Sequence, residues 1–219
     1  MKLIQLNATV TASNDHDAQA LRERMQAAGT LLVNVMSSPG SGKTTLLSRI
    51  IRDLPAVKIG VMEADIESDV DAKRIEALGA AAIQVHTSGM CHMDAGMTAA
   101  AWEAMESKEL ELIFLENVGN LICPAEYDTG AAKNIMLLSV PEGDDKPLKY
   151  PLMFQKSDAL VITKTDALPF FNFDLEKCRE RVLKLNPKLR IFPVSAKTGE
   201  GMRELEQWIK ACLFRASDI

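Results

Sequence analysis

Short, nearly unbroken apolar runs recur along the chain, separated by stretches whose apolar positions fall at helical spacing. The runs at 31–36, 57–62, 81–85, 110–115, 135–140, 159–162 and 190–193 read as strands. Runs that stay apolar without alternation suit strands covered on both faces. Helices are expected over 14–28, 46–51, 69–78, 94–107, 174–185 and 202–214. The first has Ser13 or Asn14 as its cap and Gly29 as its stop, and reads as part of a helical N-terminal appendage over 1–30. Strands alternating with helices predict an α/β fold, a mostly parallel sheet of roughly six or seven strands with helices on both faces and a site at the strand C-termini. No repeat or low-complexity linker interrupts the pattern, so 1–219 reads as a single domain. Two connections, 119–133 and 142–150, are long for so tight an alternation, and connections of that length tend to be functional.

Composition narrows the classes. Apolar residues make up 47% and charged residues 25%, which are globular values. A net charge of -5 without a dense Lys/Arg stripe argues against nucleic acid as a partner, since phosphate backbones are bound by clustered cations. No run approaches the roughly 20 apolar residues of a membrane span, and the N-terminus lacks the order of a signal peptide. A cytoplasmic protein is expected, and in that compartment four cysteines are free thiols or metal ligands rather than disulfides.

The strongest chemical signal is Ser37-Ser38-Pro39-Gly40-Ser41-Gly42-Lys43-Thr44-Thr45, set between the first strand and a helix. Such a phosphate-binding P-loop needs a strand that delivers the chain to a tight turn, glycines that let backbone N-H groups crowd an anion, and the positive end of a helix. Pro39, Gly40, Ser41, Gly42 and Thr45 form the cradle, Lys43 reaches the β- and γ-phosphates, and Thr44 offers its hydroxyl to Mg²⁺. Ser37 stands where the pattern has its first glycine. A P-loop NTPase fold follows.

Acids at strand ends supply the rest of a magnesium site. Glu116 closes the most apolar strand and is followed by Asn117-Val118-Gly119, which resembles the acid-to-glycine switch of GTP-hydrolysing P-loop proteins; the glycine N-H would then meet the γ-phosphate and the acid hold Mg²⁺ or its water. Asp65 holds the matching place on the second strand; either acid is otherwise a surface cap. Thr163-Lys164-Thr165-Asp166 resembles the guanine-reading Asn-Lys-x-Asp motif with Thr for Asn, which removes an amide that ties the loop together. The Asp166 carboxylate can accept from the N1-H and amino group that guanine presents and adenine does not, with Lys164 along the base plane. Ser195-Ala196-Lys197 follows the last strand and resembles the loop that meets the guanine carbonyl. GTP and GDP are therefore the expected nucleotides. With no arginine finger or water-placing glutamine evident, hydrolysis should be slow.

Cys91 and His92 are adjacent before a helix, and Cys123 lies four residues beyond Gly119. Thiolate and imidazole suit nickel or zinc. The spacing alone equally allows a packed thiol and a polar helix start. Cys178 and Cys212 fall within amphipathic helices as filler, and His16 and His86 have no sequence partner.

Glu116-Asn117-Val118-Gly119-Asn120-Leu121-Ile122-Cys123-Pro124-Ala125, with Glu142-Gly143-Asp144-Asp145-Lys146-Pro147 and the Cys91-His92 pair, resembles the HypB family of hydrogenase nickel-incorporation GTPases, of the SIMIBI class, over nearly the whole chain. The resemblance implies a metallochaperone that hydrolyses GTP to GDP and phosphate and passes nickel toward a hydrogenase large subunit, helped by other maturation proteins. It also implies that Cys91, His92 and Cys123 hold nickel or zinc, and that two chains share this site at a nucleotide-sensitive homodimer interface. Many members carry an N-terminal cysteine motif or histidine tract for extra nickel; residues 1–12 hold neither. The related urease GTPase UreG uses a Cys-Pro-His motif, which does not occur here. The competing readings are a urease-type nickel GTPase, a P-loop small-molecule kinase with structural cysteines, and a regulatory GTP switch without metal.

Overall fold

The computed structural model describes residues 6–64, 70–105 and 109–217. In chain order the elements are α1 (Leu6–Ala27), β1 (Leu31–Ser37), α2 (Lys43–Asp53), β2 (Ile59–Ala64), α3 (Val70–Glu76), β3 (Ala81–Val85), α4 (Ala95–Ala104), β4 (Leu112–Glu116), α5 (Cys123–Glu126), β5 (Lys133–Ser139), α6 (Lys146–Lys149), α7 (Pro151–Gln155), β6 (Ala159–Thr163), α8 (Leu175–Leu185), β7 (Arg190–Pro193) and α9 (Met202–Ser217). The seven strands form one sheet in the order β3-β2-β4-β1-β5-β6-β7, every neighbouring pair parallel. β1 lies at the centre, between β4 and β5, so the loop that leaves its C-terminus emerges in mid-sheet.

Successive residues of a strand face opposite sides, and both sides are packed. Leu31, Val33 and Val35 meet Leu46, Leu47 and Ile50 of α2 and Leu205 and Ile209 of α9. On the other side Leu32, Met62 and Ile113 pack against Leu21 and Met25 of α1 and Ala101 of α4. Farther along that side Met136, Leu138 and Leu160 meet Met153 and Phe154 of α7 and Cys178 and Val182 of α8. Phe114 and Phe154 are wholly buried, and each such side chain contributes roughly 1.5–3 kcal/mol. Among the described residues no helix is long and apolar enough to cross a membrane.

Tertiary contacts alter several sequence expectations. The first helix starts at Leu6, well before Ser13 and Asn14, so neither caps it. Asn14 instead accepts from the Ala95 amide at the start of α4 (3.0 Å) and donates to the Asp128 carbonyl (2.9 Å). Leu21 and Met25 are core residues, and Arg22 pairs with Asp128 at 2.8 Å, so α1 is packed onto the sheet. β2 begins at Ile59 rather than Val57, because the Lys58 amide is taken by the Glu111 carboxylate instead of the ladder. The two long connections hold short turns of helix, α5 in the first and α6 after the second has begun; each carries a proline near its start and is too brief to show helical periodicity.

Candidate functional site

Every described strand-end candidate converges on the C-terminal edge of the sheet. A cleft of about 500 Å³ there is lined by Pro39, Gly40, Gly42, Lys43, Thr44 and Thr45 from the loop, Glu116 and Gly119 from the end of β4, and Lys164 after β6. Gly42, with φ +98°, takes a left-handed conformation that a side chain would strain, and from it the 11-residue α2 begins at Lys43. Lys43, Thr44 and Thr45 of its first turn line the cleft, and the unpaired amides of a helix start are the kind of group that holds an anion.

Ser37 fills the place of the missing glycine with a hydroxyl that organises the loop. It is fully buried, accepts from Ser41 Oγ at 2.6 Å and Lys43 Nζ at 3.0 Å, and donates to the Ser38 carbonyl at 2.8 Å. Thr163 likewise replaces the expected asparagine without losing the tie: its hydroxyl donates to the Ser41 carbonyl at 2.7 Å. The amide that the motif lacks is thus compensated by a β-branched hydroxyl of shorter reach. Lys164, itself left-handed at φ +60°, donates to the Gly40 carbonyl at 2.7 Å and spans the cleft mouth.

The acids gather beneath the loop. Thr44 Oγ1 lies 3.2 Å from Glu116 Oε1, so a hydroxyl and a carboxylate already share one spot. Glu63, on β2, pairs in register with Glu116 and also lines the cleft, both carboxylates being buried. These are hard oxygen donors of the kind Mg²⁺ takes, and the set fits that ion. Asp65 lies outside the described residues. Glu63 escaped the sequence reading because Asp65, two residues on, took the strand-end place, and Arg74 of α3, which also lines the cleft, because nothing local marks it. Gly119 packs against Pro39: a Cβ there would lie 2.9 Å from the proline ring and 3.0 Å from its nitrogen, so only glycine lets the switch meet the loop.

The base-reading candidates also meet. Asp166 accepts from the Ser195 hydroxyl at 2.7 Å, and Ser195 Oγ accepts from the Thr198 amide at 3.2 Å. Ser195 is buried, Ala196 half-buried and Lys197 exposed. Ser195, at the start of the Ser195-Ala196-Lys197 turn, therefore holds the Asp166 carboxylate in place.

A second cluster lies on the β4 side of the cleft. The donor atoms of Cys91, His92 and Cys123 all fall within 4.8 Å of one another, from two segments 31 residues apart. Cys91 Sγ is 3.8 Å from His92 Nδ1. The His92 ring stacks on Tyr127, with centroids 3.8 Å apart, which fixes the imidazole plane. Burial lowers the pKa of His92, favouring the neutral ligating form, and the contact with Cys91 followed by burial pushes up that of the Cys123 thiol. One imidazole and two thiols within a single ion's reach are a soft donor set suited to nickel or zinc.

Sheet order, phosphate loop and paired acids define a P-loop nucleotide-binding protein. A family model described as the CobW/HypB/UreG nucleotide-binding domain matches residues 31–193. The hydrogenase maturation factor HypB of Azotobacter chroococcum is 44% identical over 210 residues, covering 95% of this chain and 69% of that protein. The hydrogenase/urease maturation factor HypB of Helicobacter pylori strain J99 is 39% identical, over 95% of this chain and 87% of its own. A crystal structure of Helicobacter pylori HypB in complex with nickel superposes with a TM-score of 0.89 at 39% identity, over 93% of this chain and 96% of that one. The chain belongs to the HypB hydrogenase maturation factors of the CobW/HypB/UreG family.

Proposed function

We propose that this chain is a GTP-hydrolysing nickel metallochaperone of hydrogenase maturation, one GTPase domain over 1–219 that works in the cytoplasm as a homodimer. The observation that carries the reading is the Cys91, His92 and Cys123 triad, whose third ligand follows the Glu116-to-Gly119 switch by four residues. Lys43, the α2 amides and the Gly119 amide bind the triphosphate. Thr44 and Glu116, joined by Asp65 or Glu63, would hold Mg²⁺, which supplies charge neutralisation at the β- and γ-phosphates. Asp166 and Lys164 read guanine, with the Ser195-Ala196-Lys197 turn behind them. Nickel, or zinc in its place, is the cargo on the triad, passed on to other maturation proteins and to the hydrogenase large subunit.

Three ligands per chain leave a four-coordinate site incomplete, and a two-fold contact can complete it with copies of the same residues. Ile122, beside Cys123, is 55% exposed, an apolar side chain that such a contact would cover. The Helicobacter relative named for both hydrogenase and urease maturation favours a second reading in which nickel also reaches a urease. The test is nickel and zinc titration of the metal-free protein with GDP and with a non-hydrolysable GTP analogue, on wild type and on Cys91→Ala, His92→Ala and Cys123→Ala. The variants should lose the metal, and GTP should be hydrolysed slowly with no phosphate acceptor present, an activity that Lys43→Ala abolishes. Metal binding unchanged in all three variants removes the carrier function, and hydrolysis that requires a small-molecule acceptor restores the kinase alternative.

A further inference from the structure

Between the nucleotide cleft and the metal triad lies a buried amide that lines the first and bonds the backbone next to the second. Asn117 follows Glu116 directly and is fully buried. Its side-chain oxygen accepts two backbone amides, Met93 N at 3.1 Å and Val118 N at 2.9 Å. Met93 is the residue after His92, and Val118 the residue before Gly119. The Asn117 side-chain nitrogen donates to Asn34 Oδ1 at 3.0 Å, and Asn34 donates in turn to Asn134 Oδ1 at 3.0 Å, a row of amides across β4, β1 and β5. Asn34 stands on β1, three residues before Ser37 at the root of the phosphate loop. The Asn117 backbone amide continues the sheet by donating to the Val35 carbonyl at 3.0 Å.

We infer that Asn117 is a positioning residue that makes the Cys91-His92 half of the metal triad follow the nucleotide switch. The inference rests on the coupled metal and nucleotide function proposed above. The other half of the triad, Cys123, needs no such device, because it is joined to Gly119 by four residues of chain. Cys91 and His92 lie between β3 and α4 and have no covalent path to the switch shorter than the whole of α4 and β4. The Asn117 side chain supplies that path in one step. If Gly119 moves toward a γ-phosphate, Val118 and the backbone of Asn117 move with it, and the amide oxygen carries Met93 N-H along. A buried N-H left without its acceptor loses its hydrogen bond with no water to replace it, so the loop follows the oxygen rather than parting from it. Both halves of the metal site then shift as one unit, and ligand spacing becomes a function of nucleotide state.

An aliphatic residue at 117 would leave Met93 N-H and the Asn34 oxygen unpaired, and the row of amides would end at β1. The amide also excludes sliding: with donor and acceptor both engaged, the side chain has one orientation and the 117–118 turn one geometry relative to β1.

The experiment measures the ratio of nickel dissociation constants with GDP and with a non-hydrolysable GTP analogue, in wild type, Asn117→Ala and Asn117→Asp, after confirming that each variant unfolds cooperatively and binds GDP. Wild type should give a ratio different from one. In Asn117→Ala that ratio should collapse toward one by about 3-fold or more, a coupling change of the size such network residues produce. Asn117→Asp keeps an oxygen facing Met93 N-H and should retain more of the ratio than Ala does. A second measurement needs no variant: hydrogen exchange at the Met93 amide of wild type should differ between the two nucleotide states. A wild-type ratio of one sinks the coupled function and this inference with it. A wild-type ratio different from one that survives unchanged in Asn117→Ala, or a Met93 amide that exchanges identically in both states, overturns this inference alone.

Discussion

At the scale of single residues, two departures from motif patterns turn out to be functional replacements. Ser37 exchanges a permissive glycine for a buried hydroxyl that orders Ser41 and Lys43 before any phosphate arrives. Thr163 holds the Ser41 carbonyl in place of an asparagine. Asp166 is the residue on which base choice should turn. Asp166→Asn should shift preference from guanine to xanthine nucleotides, since an amide can donate to the carbonyl that xanthine carries; competition binding with GDP, XDP and ADP reads it, and equal competition by ADP against wild type refutes the assignment. Away from the cleft, Glu206 has its pKa raised to about 7 from an ordinary 4.5, chiefly by burial and then by Asp53, with Arg49 and Lys210 opposing. The folded state therefore holds this proton more tightly than the unfolded chain. Its stabilisation is complete below the unfolded value and is lost as pH rises through the folded one. Glu206→Gln cannot ionise and should gain stability relative to wild type between about pH 5 and pH 8; a difference that stays constant in denaturant titrations at the two ends refutes this.

At the scale of elements, α1 and the segment after β5 do more than their sequences announce. α1 buries Leu21 and Met25 on the sheet and braces the 128–131 turn through Arg22, so it is part of the core. Leu21→Ala should cost about 2–5 kcal/mol, the range for emptying a buried leucine site; a urea midpoint unmoved from wild type would mean that the helix docks only loosely. Glu142 links the phosphate loop to the helical turns beyond it: its carboxylate accepts from Ser38 Oγ and, at 2.7–2.8 Å, from the hydroxyl and amide of Ser139. Asp144 then accepts from the Asp174 amide at 2.8 Å and pairs with Arg181 of α8. The charged stretch is thus tied down at its start, to the phosphate loop and to α8. Glu142→Ala should raise KM for GTP more than it lowers kcat, since it frees the loop that binds phosphate while leaving Thr44 and Glu116 in place.

At the scale of the whole molecule, one edge of the sheet carries both sites and an apolar surface beside them. Phe170 is 82% exposed, Leu148 65% and Phe171 46%, on the turn after β6 and on α6, where a soluble monomer gains nothing from presenting them. If this surface is the homodimer contact, replacing Phe170 and Phe171 together by serine should yield monomers by sedimentation velocity and weaken nickel binding through loss of the shared site. Fold stability should change by no more than about 0.5 kcal/mol, as for surface substitutions. A double variant that remains dimeric places the contact elsewhere.

Much of this arrangement was legible in the chain itself, because its signals are local. Apolar runs ending in Ser37, Glu116 and Thr163 identify strands and their reactive ends, and Gly42-Lys43-Thr44 carries its phosphate chemistry within three residues. The Cys91-His92 pair and Cys123 were legible as candidates, but only the parallel order β3-β2-β4 brings the segments after β3 and β4 together and their donor atoms within one ion's reach. Glu63 became an acid of the cleft through its register with Glu116, and Asp65, two residues on, conceals that role in the sequence. The start of α1, the work of Asn14 and the amide row from Asn134 through Asn34 to Asn117 are likewise decisions of the tertiary structure. A polar side chain in an apolar run has no marked meaning in one dimension. Burial beside a partner from a distant segment is what makes its hydrogen bonds obligatory, and that pairing exists only once the sheet has formed.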